Sequence, residues 1–220
     1  MASPGIKILT FIVILSVALT ALGQSVKDLR EGDLLFCCTD TANAITAVTS
    51  GVEDLPIDHV AVFHRIGGEE GIPYVIEAVK PTVRLTPIDI FLCNNPHVIV
   101  GRVNADFCVL PSVRRCLAML GKPYDDLYLP GDSAIYCSEL VQLNYRTVSN
   151  RLIFEPVPMS FHDKTGRVTD YRQEFYAQRG MTVPEGAPGT NPGELSRRQE
   201  VNIIGKILYS GHDILFHWYR

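Results

Sequence analysis

The sequence predicts an α+β protein, with strands gathered in its first half and helices after them. Three observations carry this expectation. β-branched runs bounded by turn residues recur up to residue 103, amphipathic runs with helical spacing begin near Pro111, and 46% of the 220 residues are hydrophobic, enough for one sizeable core.

Taken in order, EGDLLF (residues 31–36) reads as a turn feeding a short buried strand. The Ala/Thr-rich stretch 39–51 suits a short helix closed by Gly51. DHVAVF (58–63), ended by Gly67-Gly68, is a second strand, followed by strands over 74–79 and 97–103. Pro111 suits a first helical position; Val113, Cys116, Leu117 and Leu120 share a face, and Gly121 closes the helix. A loop over 122–131 carries Tyr124, Asp125 and Tyr128. Asp132 or Ser133 then caps a second helix, on whose apolar face Cys137 lies with Leu140, Val141, Tyr145 and Val148 until Pro156 and Pro158 end the unit. Six Pro and Gly residues make 183–193 a loop, and 201–219 regains enough apolar residues for a terminal helix or strand.

A net charge of −4 and the absence of a Lys/Arg run exclude the basic field that phosphate backbones require, so no nucleic-acid partner is expected. Lys7, the apolar run 8–22 and the small residues Ala21 and Gly23 read as a signal peptide, with cleavage expected before Gln24 and a single domain expected over 24–220. The alternative is a retained anchor, but the run falls short of the roughly 20 apolar residues that span a bilayer. Export to a periplasmic or extracellular space makes disulfides permissible among the six cysteines, whose spacing matches no zinc-ligand pattern. No GxSxG or phosphate-cradling glycine loop occurs, and no cofactor is called for.

The chemistry rests on Cys137, which follows Tyr136 at the expected helix start, and on its surroundings. A thiol becomes a good nucleophile only as the thiolate, which unpaired N–H groups at a helix N-terminus and a nearby imidazolium stabilise. Of six histidines, His59 opens a strand and is the best-placed base; His97, which also opens one, is the reserve. His64 points to the opposite strand face and is expected to be solvated. Glu77 interrupts an apolar strand on the face of Val75 and Val79, where a buried carboxylate needs a partner such as a histidine on the next strand; the alternative is an edge strand with Glu77 in water.

EGDLLF, DHVAVF, VIEAV (75–79), GKPYD (121–125) and YCSELV (136–141), in that order, resemble the permuted papain-like branch of the NlpC-type peptidase superfamily, specifically the YiiX-like hydrolases. VPEGAPGTNPGELS (183–196) is similar to the tail of that group. The resemblance implies a circularly permuted papain-like fold, an antiparallel sheet packed on the helix that carries the catalytic cysteine. It also implies a Cys-His-Glu site of Cys137, His59 and Glu77. Tyr124 and Tyr136 flank this site in the chain and are candidate substrate-binding residues, the alternative being that their rings only pack in the core. The function it implies is an exported cysteine hydrolase that cleaves amide bonds in small cell-wall-derived peptides, of γ-D-glutamyl type, through an acyl-enzyme. Two rivals share the scaffold: a lipid or N-acyl acyltransferase of the lecithin retinol acyltransferase type, and a non-catalytic ligand-binding module.

Overall fold

The computed structural model describes residues 26–105, 107–131, 133–211 and 214–218, the last of these as backbone. The expected signal segment lies outside the described residues. The chain runs through β1 (Leu34–Cys38), β2 (Ile57–Ile66), β3 (Ile72–Val79), β4 (Thr82–Pro87), α1 (Ile88–Asn94), β5 (His97–Val103), α2 (Val109–Leu117) and α3 (Cys137–Asn144). There follow β6 (Val157–Pro158), α4 (Asp170–Ala177), β7 (Pro188–Gly189), α5 (Pro192–Ser196), β8 (Val201–Tyr209) and β9 (Ile214–Trp218).

Seven strands form one sheet in the order β4-β3-β2-β1-β5-β8-β9, with every neighbouring pair antiparallel. Strand alternation divides its apolar residues between two cores. Phe36, Val60, Val62 and Ile76 face Cys116 of α2 and Leu140 and Val141 of α3, while Leu35, Ala61, Phe63 and Val75 face Phe91 and Leu92 of α1. Helix α3 packs on β2 and β3. Gly101 permits the close approach of β5 to its neighbours, because a Cβ there would stand 2.7 Å from both Phe36 and Val201.

The strands expected from the sequence form. Several other expectations need correction. Residues 39–51 make turns rather than a closed helix. Helix α2 begins at Val109, two residues before Pro111, and leaves Leu120 outside it. Helix α3 starts at Cys137, with Tyr136 as N-cap and no side-chain cap, so Ser133 does not cap it; Asp132 lies outside the described residues. It ends at Asn144, leaving Val148 exposed. The breaker-rich stretch 183–193 carries β7 and opens α5, because Pro192 occupies the first turn and Asn191 caps it by accepting from the Glu194 N–H.

Tyr145 ties the end of α3 to the first strand. Fully buried, it stacks on Phe107 and donates its hydroxyl to the Gly32 carbonyl at 2.8 Å. Tyr145→Phe keeps the ring and orphans that carbonyl, so it is expected to cost about 1 kcal/mol in urea denaturation, with an unchanged m-value.

Candidate active site

The N-terminus of α3 presents unpaired backbone N–H groups at Cys137, whose side chain is buried at 3% exposure yet lines a cavity. Glu139, in the same first turn, accepts a hydrogen bond from the Tyr136 backbone N–H, half of a capping box. Burial raises the Glu139 carboxyl to about 8, with Asp125 adding to the effect and the Tyr136 N–H and Lys122 opposing it.

His59 lies on β2 beside a bulge, where the pairing of β1 with β2 slips between Cys37↔His59 and Cys38↔Ile57. Bulges bend the strand that carries them and re-aim side chains. By alternation His59 falls on the α1 side of the sheet, with its ring 6.5 Å from that of Phe91. Its Nε2 stands 2.9 Å from Glu77 Oε2, and the ring also interacts with the Cys137 thiol. With Nε2 taken by Glu77, Nδ1 is left for the sulfur.

Glu77 is 3% exposed, which removes the solvated-edge alternative. Its Oε1 accepts from Thr86 Oγ1 at 2.6 Å and from Arg84 Nε and Nη2 at 3.2 Å each, while Oε2 serves His59. Arg84 and Thr86 come from β4, where Arg84 sits directly opposite Glu77. Burial alone would raise the carboxyl, but His59, Thr86 and Arg84 outweigh it and hold the group at about 2. Burial alone would lower His59. Its hydrogen bonds and charge interactions with Cys137 and Glu77 raise it instead to about 10, so the imidazolium persists across neutral pH.

Residues 28–205 match the family described as permuted papain-like amidase enzyme, YaeF/YiiX, C92 family. The chain belongs to this family of cysteine amidases. No curated protein matches it. Among solved structures, that of the metalloprotein YiiX from Escherichia coli O157:H7 is similar in fold, with a TM-score of 0.63 at 20% identity over 82% of this chain and 97% of that one. "Metalloprotein" describes that protein. Among the described residues here, no group of three or more His, Cys, Asp or Glu side chains is arranged to hold a metal ion.

Two adjoining cavities flank the Cys137 thiol and the His59 imidazole. One, of about 470 Å³, is lined by Cys137, Tyr136, Ser138 and Phe161 among others. The second, of about 750 Å³, is lined by His59 and Tyr124. Both tyrosines expected near the site therefore line its cavities, and Tyr136 is fixed there by accepting from the Thr190 N–H at 3.2 Å. Tyr128 and Arg172 line both cavities. Neither was among the expected site residues. Tyr128 stood in the loop that drew notice, whereas Arg172 comes from α4, a helix without a strong apolar pattern.

His64 and His97 are engaged elsewhere. His64 is not solvated as expected: its Nδ1 lies 2.6 Å from Glu31, with the side chain only 14% exposed. His97, the reserve base, is 3.4 Å from exposed Asp40. All six cysteines are free thiols.

Proposed function

We propose that the amidase works through a Cys137–His59–Glu77 triad. The observation that carries this reading is a half-buried imidazole held between Glu77, at 2.9 Å, and a thiol at a helix N-terminus. The Cys137 sulfur attacks the amide carbonyl carbon, forming a C–S bond and an oxyanion that accepts from the Cys137 backbone N–H. His59 gives its proton to the nitrogen as the C–N bond breaks, and the amine departs. Water then attacks the thioester while His59 takes up its proton, and the C–S bond breaks, releasing the acid and restoring the thiolate beside the imidazolium. Glu77 keeps the ring oriented and charged between steps.

The substrate in this reading is a small peptide or N-acyl amide outside the cytoplasm, reached by export through the 1–23 leader, with wall-derived peptides of γ-D-glutamyl type as the favoured class. Among the described residues no helix is long and apolar enough to cross a membrane.

Alkylation of each cysteine by iodoacetamide near pH 6, read by peptide mass spectrometry, tests the triad before any substrate is known. Cys137 is expected to outpace the other five cysteines despite its burial, by about 10- to 100-fold, and to lose that lead in His59→Ala. Uniform slow labelling would sink the proposal.

A further inference from the structure

Arg172 stands apart from the other arginines that reach into the fold. Arg102 grips buried Asp33 through two hydrogen bonds, at 2.8 and 2.7 Å, and Arg84 grips Glu77. Arg172 is more deeply buried, at 5% exposure, and no carboxylate among the described residues comes within ion-pair distance of it. Its guanidinium carbon lies 5.0 Å from the centre of the Tyr128 ring and 5.4 Å from that of Phe161, Nη2 donates to the Ala44 carbonyl at 3.2 Å, and the Tyr128 hydroxyl bonds it as well. Nε is buried without a partner.

A buried cation is costly unless an anion meets it, and two aromatic faces return only part of that cost. The acids of the neighbouring loop are committed elsewhere. Asp125 accepts from the N–H groups of Leu127 and Leu129, and Asp126 pairs with Lys80 at 2.6 Å. The guanidinium also stands in the wall between the cavity of Cys137 and the cavity of His59. In the Cys137 cavity, Ser138 Oγ is a second buried polar atom without a partner. A planar fork of N–H donors between aromatic rings is the geometry that receives a carboxylate through two parallel hydrogen bonds.

We infer that Arg172 is a carboxylate-binding residue beside the thiol, which selects amides carrying a free carboxylate near the scissile bond. This rests on the reading of Cys137 as nucleophile. Arg172 acts on the reaction by holding substrate, and Tyr128 and Phe161 keep its fork in plane.

The test compares two affinity labels with the same electrophile, bromoacetyl-glycine and bromoacetyl-glycinamide, on the intact protein, with rates at Cys137 read by peptide mass spectrometry. Wild type is expected to favour the carboxylate label by about tenfold. In Arg172→Met that preference falls toward unity, and Arg172→Lys retains part of it. Since His59 is present in every variant, its charge cannot produce the difference. Rapid labelling of Cys137 with the same preference in wild type and Arg172→Met overturns the inference and leaves the nucleophile standing. If Cys137 reacts with neither label faster than the other cysteines, the nucleophile reading fails. The anion site is then judged by thermal unfolding with glutarate or glutaramide, which needs no thiol and no variant. Glutarate alone is expected to raise the wild-type midpoint, and equal midpoints with the two compounds overturn the site.

Discussion

Cys137→Ala is expected to lower kcat by at least about 10⁴-fold, because groups that act as one catalytic unit lose nearly everything when the nucleophile goes. The measurement is release of 4-nitroaniline from an acyl anilide that the wild type hydrolyses. Stability is a separate matter: the side chain is small and borders a cavity, so the fold should lose no more than about 1 kcal/mol. A catalytic loss with an almost unmoved unfolding midpoint distinguishes chemistry from packing. His59→Ala should fall nearly as far, and the double variant no further than the worse single one, since each removes the same unit. Turnover above about a hundredth of wild type in Cys137→Ala would place the nucleophile elsewhere.

The parts of this site legible in the sequence are those whose chemistry conflicts with local pattern. Glu77 interrupts an apolar strand, His59 opens a β-branched run, and Cys137 begins an apolar helical face; each is a local anomaly in a regular background. The partners that complete the site carry no such mark. Thr86 and Arg84 belong to β4, a short strand without a strong apolar run or a clean alternation of buried and exposed residues, and they reach Glu77 only through the register of β3 with β4. Arg172 sits in a polar helix and meets Ala44, Tyr128 and Phe161, all distant in sequence. A long-range contact between residues of ordinary type leaves no periodic trace.

Element ends were harder to read than element types, for the same reason. Helix α3 stops at Asn144 because Tyr145 leaves helical geometry, donating its hydroxyl to Gly32 while its backbone N–H still bonds Val141. Leu-Val spacing alone would have carried the helix on to Val148. In 183–193, counting breakers hid the capping chemistry: Asn191 followed by Pro192 is a helix start, and the Pro188–Gly189 pair bridges to Val157–Pro158 across a long connection.

Glu77→Ala is expected to be the most destabilising single change in the site, at about 3–5 kcal/mol, because it strips His59 of its buried counter-charge and the Thr86 hydroxyl of its acceptor. Its pH dependence follows from the two shifted groups. The Glu77 carboxyl falls from an ordinary 4.5 to about 2 in the fold, so its contribution is present above pH 4.5 and is lost as pH falls through 2. The His59 ring rises from 6.5 to about 10, so its contribution is complete below pH 6.5 and is lost as pH rises through 10. The gap between wild type and Glu77→Ala should therefore be widest between pH 4.5 and 6.5 and narrow on both sides. Glu77→Gln retains hydrogen bonding but removes the charge that holds His59 protonated. Its stability should decline from wild type less than that of the alanine variant, and its alkaline arm should flatten as the His59 value drops toward neutrality. Urea denaturation across this pH range checks all three proteins. A gap that stayed constant from pH 3 to 9 would mean that Glu77 stabilises the sheet as a hydrogen-bond acceptor alone, with no charge coupling to His59, and the triad would lose its third member.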